Sequence, residues 1–101
     1  SAVYLNLAAN LMPNEDLKFW RTRNGKEVDF VLIRDRQPIP IEVKSSLKKM
    51  DVPKGLEAFL RKYPNASEAY VVNNNIEGDV KYQKTNVHFM HWSQCAQKEI
   101  K

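Results

Sequence analysis

Two alternating runs, Glu27-Val28-Asp29-Phe30-Val31-Leu32-Ile33-Arg34 and Pro38-Ile39-Pro40-Ile41-Glu42-Val43-Lys44-Ser45, flank Asp35-Arg36. So short a connection between β-prone segments predicts an antiparallel hairpin, with its register fixed by which residues must share a buried face. With Arg34 opposite Gln37, Leu32 faces Ile39, Phe30 faces Ile41 and Val28 faces Val43. This register gathers the large apolar side chains on one side, except Val31 and Ile33. A slip of one residue would set Phe30 beside Glu42 and break the core face. Residues i and i+2 of a strand project together, so Glu27 and Asp29 emerge on one face, as do Glu42 and Lys44. The register then sets Asp29 opposite Glu42 and Glu27 opposite Lys44.

The rest of the chain supplies elements to pack on this hairpin. Tyr4, Leu7, Ala8 and Leu11 recur at helical spacing, predicting a first helix to about Leu11, stopped before Met12-Pro13-Asn14. Leu17 to Thr22 reads as a strand, and Asn24-Gly25 signals a tight turn into the next. Asp51 is the expected cap of a second helix with Pro53 in its first turn, a buried stripe of Leu56, Phe59, Leu60 and Tyr63, and Pro64 at its end. Ala69 to Asn73 reads as a short strand, Asn74 to Lys84 as a polar loop with at most a brief hairpin at Gly78-Asp79, and Val87 to Trp92 as a last strand before a polar tail. The predicted order is α-β-β-β-α-β-β, an α/β (α+β) fold with a mixed sheet flanked by helices.

A chain of 101 residues, 43% hydrophobic and 28% charged, has the composition of one ordinary globular domain. No apolar stretch reaches the ~18 residues of a membrane span, and no signal peptide is visible. The single cysteine, Cys95, excludes an internal disulfide framework and fits a reducing cytoplasm. A formal charge of +4 mildly favours a polyanionic partner. The chain opens at Ser1, directly into an amphipathic pattern, so the expectation is a C-terminal domain, residues 1–101, from a longer protein.

Like charges opposite one another in a sheet cost a few tenths to about 1 kcal/mol. A sheet optimised for stability alone would avoid an Asp29–Glu42 pair. A divalent cation between them turns the repulsion into a ligand set, and Mg²⁺ typically uses one or two protein carboxylates. Lys44 beside such a site can orient or help deprotonate a water, or stabilise charge growing on a phosphate; Glu27 can assist the metal or pair with Lys44. Alternating charged and apolar residues are also what any half-exposed hairpin displays. Two readings therefore stand at this point, a solvated face and a metal site.

The string Phe19-Trp20-Arg21-Thr22 … Gly25-Lys26-Glu27-Val28-Asp29-Phe30-Val31 … Ile39-Pro40-Ile41-Glu42-Val43-Lys44-Ser45-Ser46 resembles the PD-(D/E)xK nuclease superfamily, which has the restriction-endonuclease-like fold. It is most similar to the C-terminal domain of unknown function of prokaryotic AAA+-type ATPase-like proteins. The resemblance covers roughly Leu17 to Ser46. It implies Asp29 and Glu42 as metal ligands together with the Val43 main-chain carbonyl, Lys44 as the catalytic lysine, Mg²⁺ or Mn²⁺ as cofactor, DNA as partner and an attached AAA+ ATPase. Val28 stands where the superfamily's name has Pro. Many members carry a further acidic residue on the first helix, and Ser1 to Leu11 contains none. The superfamily also includes inactive members kept as modules binding DNA or a partner protein, which is the alternative function.

Arg21, Arg23, Lys48, Lys49 and Lys54, with Arg61 and Lys62 on the second helix, are candidates for phosphate contacts, and solvated surface charge accounts for them equally well. Trp20 is expected in the core. His88 and His91 lie three residues apart, which on a strand points them to opposite faces, and with Cys95 they lack a fourth ligand for zinc. Asn65-Ala66-Ser67 fits a glycosylation triplet of the kind that arises by chance. No Gly-rich phosphate loop is present, so ATPase activity would belong to another domain.

Overall fold

The structure is a computed structural model that describes residues 2–96, with side chains described from Val3 to Gln94. Ser1, the Cys95 side chain and the end of the expected polar tail, residues 97–101, lie outside the described residues. The elements are α1 (Ala2–Ala9), β1 (Asp16–Arg21), β2 (Glu27–Arg34), β3 (Gln37–Val43), α2 (Lys54–Lys62), β4 (Glu68–Asn73), β5 (Gly78–Tyr82), β6 (Thr85–His91) and α3 (Trp92–Ala96). All six strands form one mixed sheet in the order β1-β2-β3-β4-β6-β5. β3–β4 and β4–β6 are parallel, and the remaining pairs are antiparallel. No described helix is long and apolar enough to cross a membrane.

The β2–β3 hairpin forms in the predicted register, with Arg34↔Gln37, Leu32↔Ile39 and Phe30↔Ile41. Its two-residue loop holds Asp35 at φ 51° and Arg36 at φ 65°, the left-handed pair that matches the twist of the flanking strands. Beyond Phe30 the expectation fails. β1 advances two residues from Lys18 to Trp20 while β2 advances three from Val31 to Val28, so β2 carries an extra residue across Asp29-Phe30. Such a bulge breaks the ladder and re-aims side chains. As a result Val28 does not join Phe30; it lies with Val31 on the opposite face of the sheet.

The sheet is accordingly covered on both sides. Phe30, Leu32, Ile39, Ile41, Tyr70, Val72 and Met90 pack under α1, which contributes Val3 and Leu7. Val28, Val31, Ala69, Val71, Val87 and Phe89 pack under α2, which contributes Leu56, Phe59 and Leu60. Trp20 packs against this second core, edge-on to Phe59 at 5.3 Å between ring centroids.

Four further expectations are corrected. α2 starts after Pro53, whose ψ of 149° is extended, and Asp51 pairs with Lys49 Nζ at 3.3 Å instead of capping the helix. Tyr63 sits at the C-cap and is 39% exposed, its ring 4.7 Å from that of Phe59, so it does not extend the buried stripe. The 74–84 stretch contains a full strand, β5, paired with β6 from Gly78↔Phe89 to Tyr82↔Thr85. Finally, Trp92 opens α3 where the last strand was expected to end and a tail to begin.

Candidate functional site

A cleft of about 1010 Å³ opens on the α2 side of the sheet. Glu27 and Asp29 from β2, Glu42 and Val43 from β3, and Lys44 just beyond it all line this space. The connection from β3 to α2 adds Lys48, Lys49 and Asp51, α2 adds Lys54, Gly55 and Glu57, and Lys26 and Lys81 come from the β1–β2 turn and from β5.

The break in the β2–β3 ladder is what builds the acidic centre. Where the next main-chain bond would form, the Val43 N–H donates to Asp29 Oδ2 at 2.7 Å. The bulge thus puts a side-chain carboxylate in the place of a strand carbonyl and pins Asp29 against β3. Glu42 projects beside it and is only 5% exposed. Burial pushes the Glu42 carboxyl up to about 8; the hydrogen bond and the charge of Asp29 push the same way, and Lys44 and the Asp29 main-chain amide oppose them. A buried carboxyl beside a second carboxylate does not ionise cheaply without a cation between them.

Oxygen donors are therefore available from Asp29, Glu42 and the Val43 carbonyl. Among the described residues no group of three or more His, Cys, Asp or Glu side chains converges to hold a metal ion. A site of this composition does not provide the closed ligand cage of structural zinc or high-affinity calcium.

Glu27 does not meet Lys44. It pairs with Arg21 across β1–β2, Arg21 Nη2 to Glu27 Oε2 at 3.0 Å, because the bulge ends the β2–β3 ladder before Glu27 is reached. Arg21 and Arg23 do not line the cleft, whereas Lys48, Lys49 and Lys54 do. Arg61 also lies outside it, donating from Nη1 to the Tyr82 hydroxyl at 3.1 Å.

Sequence reasoning missed Lys26, Lys81 and Gly55. Lys81 carried a weak signal, since Val80 and Tyr82 on either side of it are spaced as alternating strand residues. Gly55 carried another, a glycine just after a proline at a helix start. A Cβ at Gly55 would overlap the Glu27 carbonyl oxygen, with the carbonyl carbon at 3.1 Å and the amide nitrogen at 3.3 Å. The absence of a side chain lets the first turn of α2 rest directly on the main chain of β2 and close one end of the cleft.

No curated protein matches the chain. Residues 1–94 match the family described as a domain of unknown function, DUF4143, and the chain belongs to that family.

Proposed function

We propose that this domain is a restriction-endonuclease-like, metal-dependent nuclease that hydrolyses DNA phosphodiester bonds, a cytoplasmic C-terminal module of an AAA+-type ATPase. The observation that carries the reading is the buried Glu42 carboxyl held beside Asp29 in a lysine-lined cleft. Asp29, Glu42 and the Val43 carbonyl would hold Mg²⁺ or Mn²⁺. When bound, the cation supplies Lewis-acid polarisation of the scissile phosphate and a water of lowered pKa. Asp29, anchored by the Val43 amide, keeps its carboxylate at one position. Lys44, exposed at the cleft wall, orients the attacking water or offsets charge developing on the phosphate. Lys48, Lys49 and Lys54 hold the phosphate backbone without reading base sequence.

A second reading, a catalytically inactive nuclease-fold module that binds DNA or a partner protein for the ATPase, is favoured by one observation. Only two acidic side chains, Asp29 and Glu42, stand at the centre, and no third converges with them among the described residues.

Thermal unfolding with and without Mg²⁺ or Mn²⁺ tests the site. The cation is expected to raise the melting temperature of the wild type and to leave Asp29→Ala and Glu42→Ala unmoved; equal shifts in all three proteins would remove the metal site. Cleavage of plasmid DNA that is lost in Lys44→Ala, with DNA binding retained, identifies the enzyme. Binding without cleavage in the wild type identifies the module.

A further inference from the structure

Lys48 and Lys49 lie in a connection without helix or strand, yet they are held from both sides. On one side the Leu47 N–H donates to Asn75 Oδ1 at 3.0 Å, and Asn75 Nδ2 donates to the Leu47 carbonyl at 2.7 Å. One carboxamide thus satisfies both main-chain groups of Leu47, as a neighbouring strand would. On the other side Met50 packs onto Gly78, where a Cβ would meet Met50 Cε at 2.5 Å and Sδ at 3.1 Å. Asn75 lies in the β4–β5 turn and Gly78 opens β5 directly after it, and a buried residue builds that turn. Asn73, 1% exposed, accepts from the amides of Asn75 at 2.9 Å and Ile76 at 2.7 Å and donates to the Ile76 carbonyl at 3.0 Å. Asn73, Asn75 and Gly78 do not themselves line the cleft.

We propose that Asn75 is a positioning residue for the cationic wall of the cleft: through Leu47 it fixes the main chain so that Lys48 and Lys49 present their charge to a phosphate backbone. The inference rests on the reading of the cleft as a DNA site. Its physical basis is preorganisation. An untethered connection would be ordered at the moment of binding, and that entropy would be subtracted from affinity. With Leu47 clamped and Met50 seated, the two lysines are each one residue from an anchor, and what remains to be given up is side-chain freedom and the exposed Lys49–Asp51 pair. Asn75 is exposed, so water competes for its bonds, and the clamp works because the same carboxamide makes two of them to one residue.

The test measures binding of a short DNA duplex to the full chain over a range of salt concentrations, together with amide hydrogen exchange at Leu47. Replacing Lys48 and Lys49 by alanine is expected to lower the slope of log affinity against log salt by about 2, one for each lost phosphate contact. Asn75→Ala is expected to speed exchange at Leu47 and to weaken binding. Asn75→Asp, which sets a second acceptor against the Leu47 carbonyl and adds negative charge beside the lysines, is expected to weaken binding at least as much as Asn75→Ala. The deciding readout is the double-mutant cycle: in the Asn75→Ala background, removing the two lysines costs less affinity than in the wild type. Unchanged Leu47 exchange, or a lysine effect of full size in the Asn75→Ala background, overturns the inference while leaving the DNA reading intact. A wild type that does not bind the duplex at any salt overturns the DNA reading, and this inference with it.

Discussion

At Glu42, β3 carries a carboxyl into a position only 5% exposed and beside a second carboxyl, and the consequence is a pH dependence with a definite sign. Its usual value of 4.5 applies to the unfolded chain, and its folded value is about 8. Between the two, the folded protein holds a proton that the unfolded chain has released. The metal-free protein therefore loses stability as pH rises from about 4.5 towards 8, by at most about 1.4 kcal/mol per pH unit, and levels off above. Glu42→Gln, a neutral isostere, is expected to remove the Glu42 share of this slope and to be more stable than the wild type near the upper end of the window. Urea unfolding at a series of pH values measures both. His88 contributes with the same sign. Burial works against its charge, but Asp79 at 2.5 Å and Glu68 at 3.1 Å outweigh burial and raise its pKa above 6.5. Its stabilisation is present below the unfolded value and is lost as pH rises through the folded one. His88→Gln removes that share and leaves the Glu42 slope, so the two substitutions separate the two groups. An Asp29–Glu42 apposition was expected from a register that in fact ends at Phe30; the two carboxyls meet through the bulge, which the sequence did not show. The burial that perturbs Glu42 was not legible either, because a strand residue's exposure is set by tertiary packing around the sheet.

The bulge in β2 and the first turn of α2 are the elements that shape the site, and they meet at Gly55. Gly→Ala within a helix ordinarily gains up to about 1 kcal/mol. Here the added methyl would collide with the Glu27 main chain, and overpacking of this kind costs about 1–3 kcal/mol. The collision wins because the obstacle is backbone in a sheet and cannot rotate away. Gly55→Ala is expected to lower stability by about 1–2 kcal/mol net and to weaken the metal-induced shift in melting temperature, since α2 must lift from β2 where the cleft closes. A variant as stable as the wild type in urea would mean that α2 moves freely there. The hairpin was legible because a two-residue loop and a buried face leave a single register. The bulge was not: Asp29-Phe30 has the composition of ordinary strand, and the extra residue shows only in the pairing with β1, where the register shifts between Lys18 and Trp20. β5 was hidden for a related reason. Gly78-Asp79-Val80-Lys81-Tyr82 offers only two apolar residues in alternation, and β6 supplies the pairing that makes it a strand. Asp51 looked like a cap by type and spacing, but the extended backbone at Pro53 starts the helix later, beyond its reach.

Across the whole molecule the two layers flanking the sheet are unequal, and the cleft lies on the stronger one. α2 drives Leu56, Phe59 and Leu60 to 0%, 2% and 1% exposure. α1 buries Val3 and Leu7 to 9% and 8%, and on its side Leu5 and Phe19 remain 67% and 70% exposed. The mixed architecture was readable from the order of apolar patterns, but this asymmetry was not, because α1 is the more apolar helix by composition, seven of eight residues against four of nine in α2, and the difference lies in how completely the sheet receives each. Substituting the same residue type in each layer makes the difference measurable. Leu56→Ala opens a cavity where nothing is exposed, and is expected to cost about 3–4 kcal/mol. Leu7→Ala should fall near the lower limit for such changes, about 2 kcal/mol, because a short helix on a partly open face can settle into the space. Function should divide along the same line. Leu56 supports the helix whose first turn walls the cleft, so its loss is expected to reduce the metal response along with stability. Leu7 lies across the sheet from Asp29 and Glu42, and Leu7→Ala should retain the full metal-induced shift despite unfolding at lower urea. Amide exchange then locates the damage: faster exchange confined to α1 in Leu7→Ala, and faster exchange throughout α2 and the sheet beneath it in Leu56→Ala. Equal costs and equal loss of the metal response in both variants would mean that the two layers act as one cooperative unit and that the cleft has no privileged support.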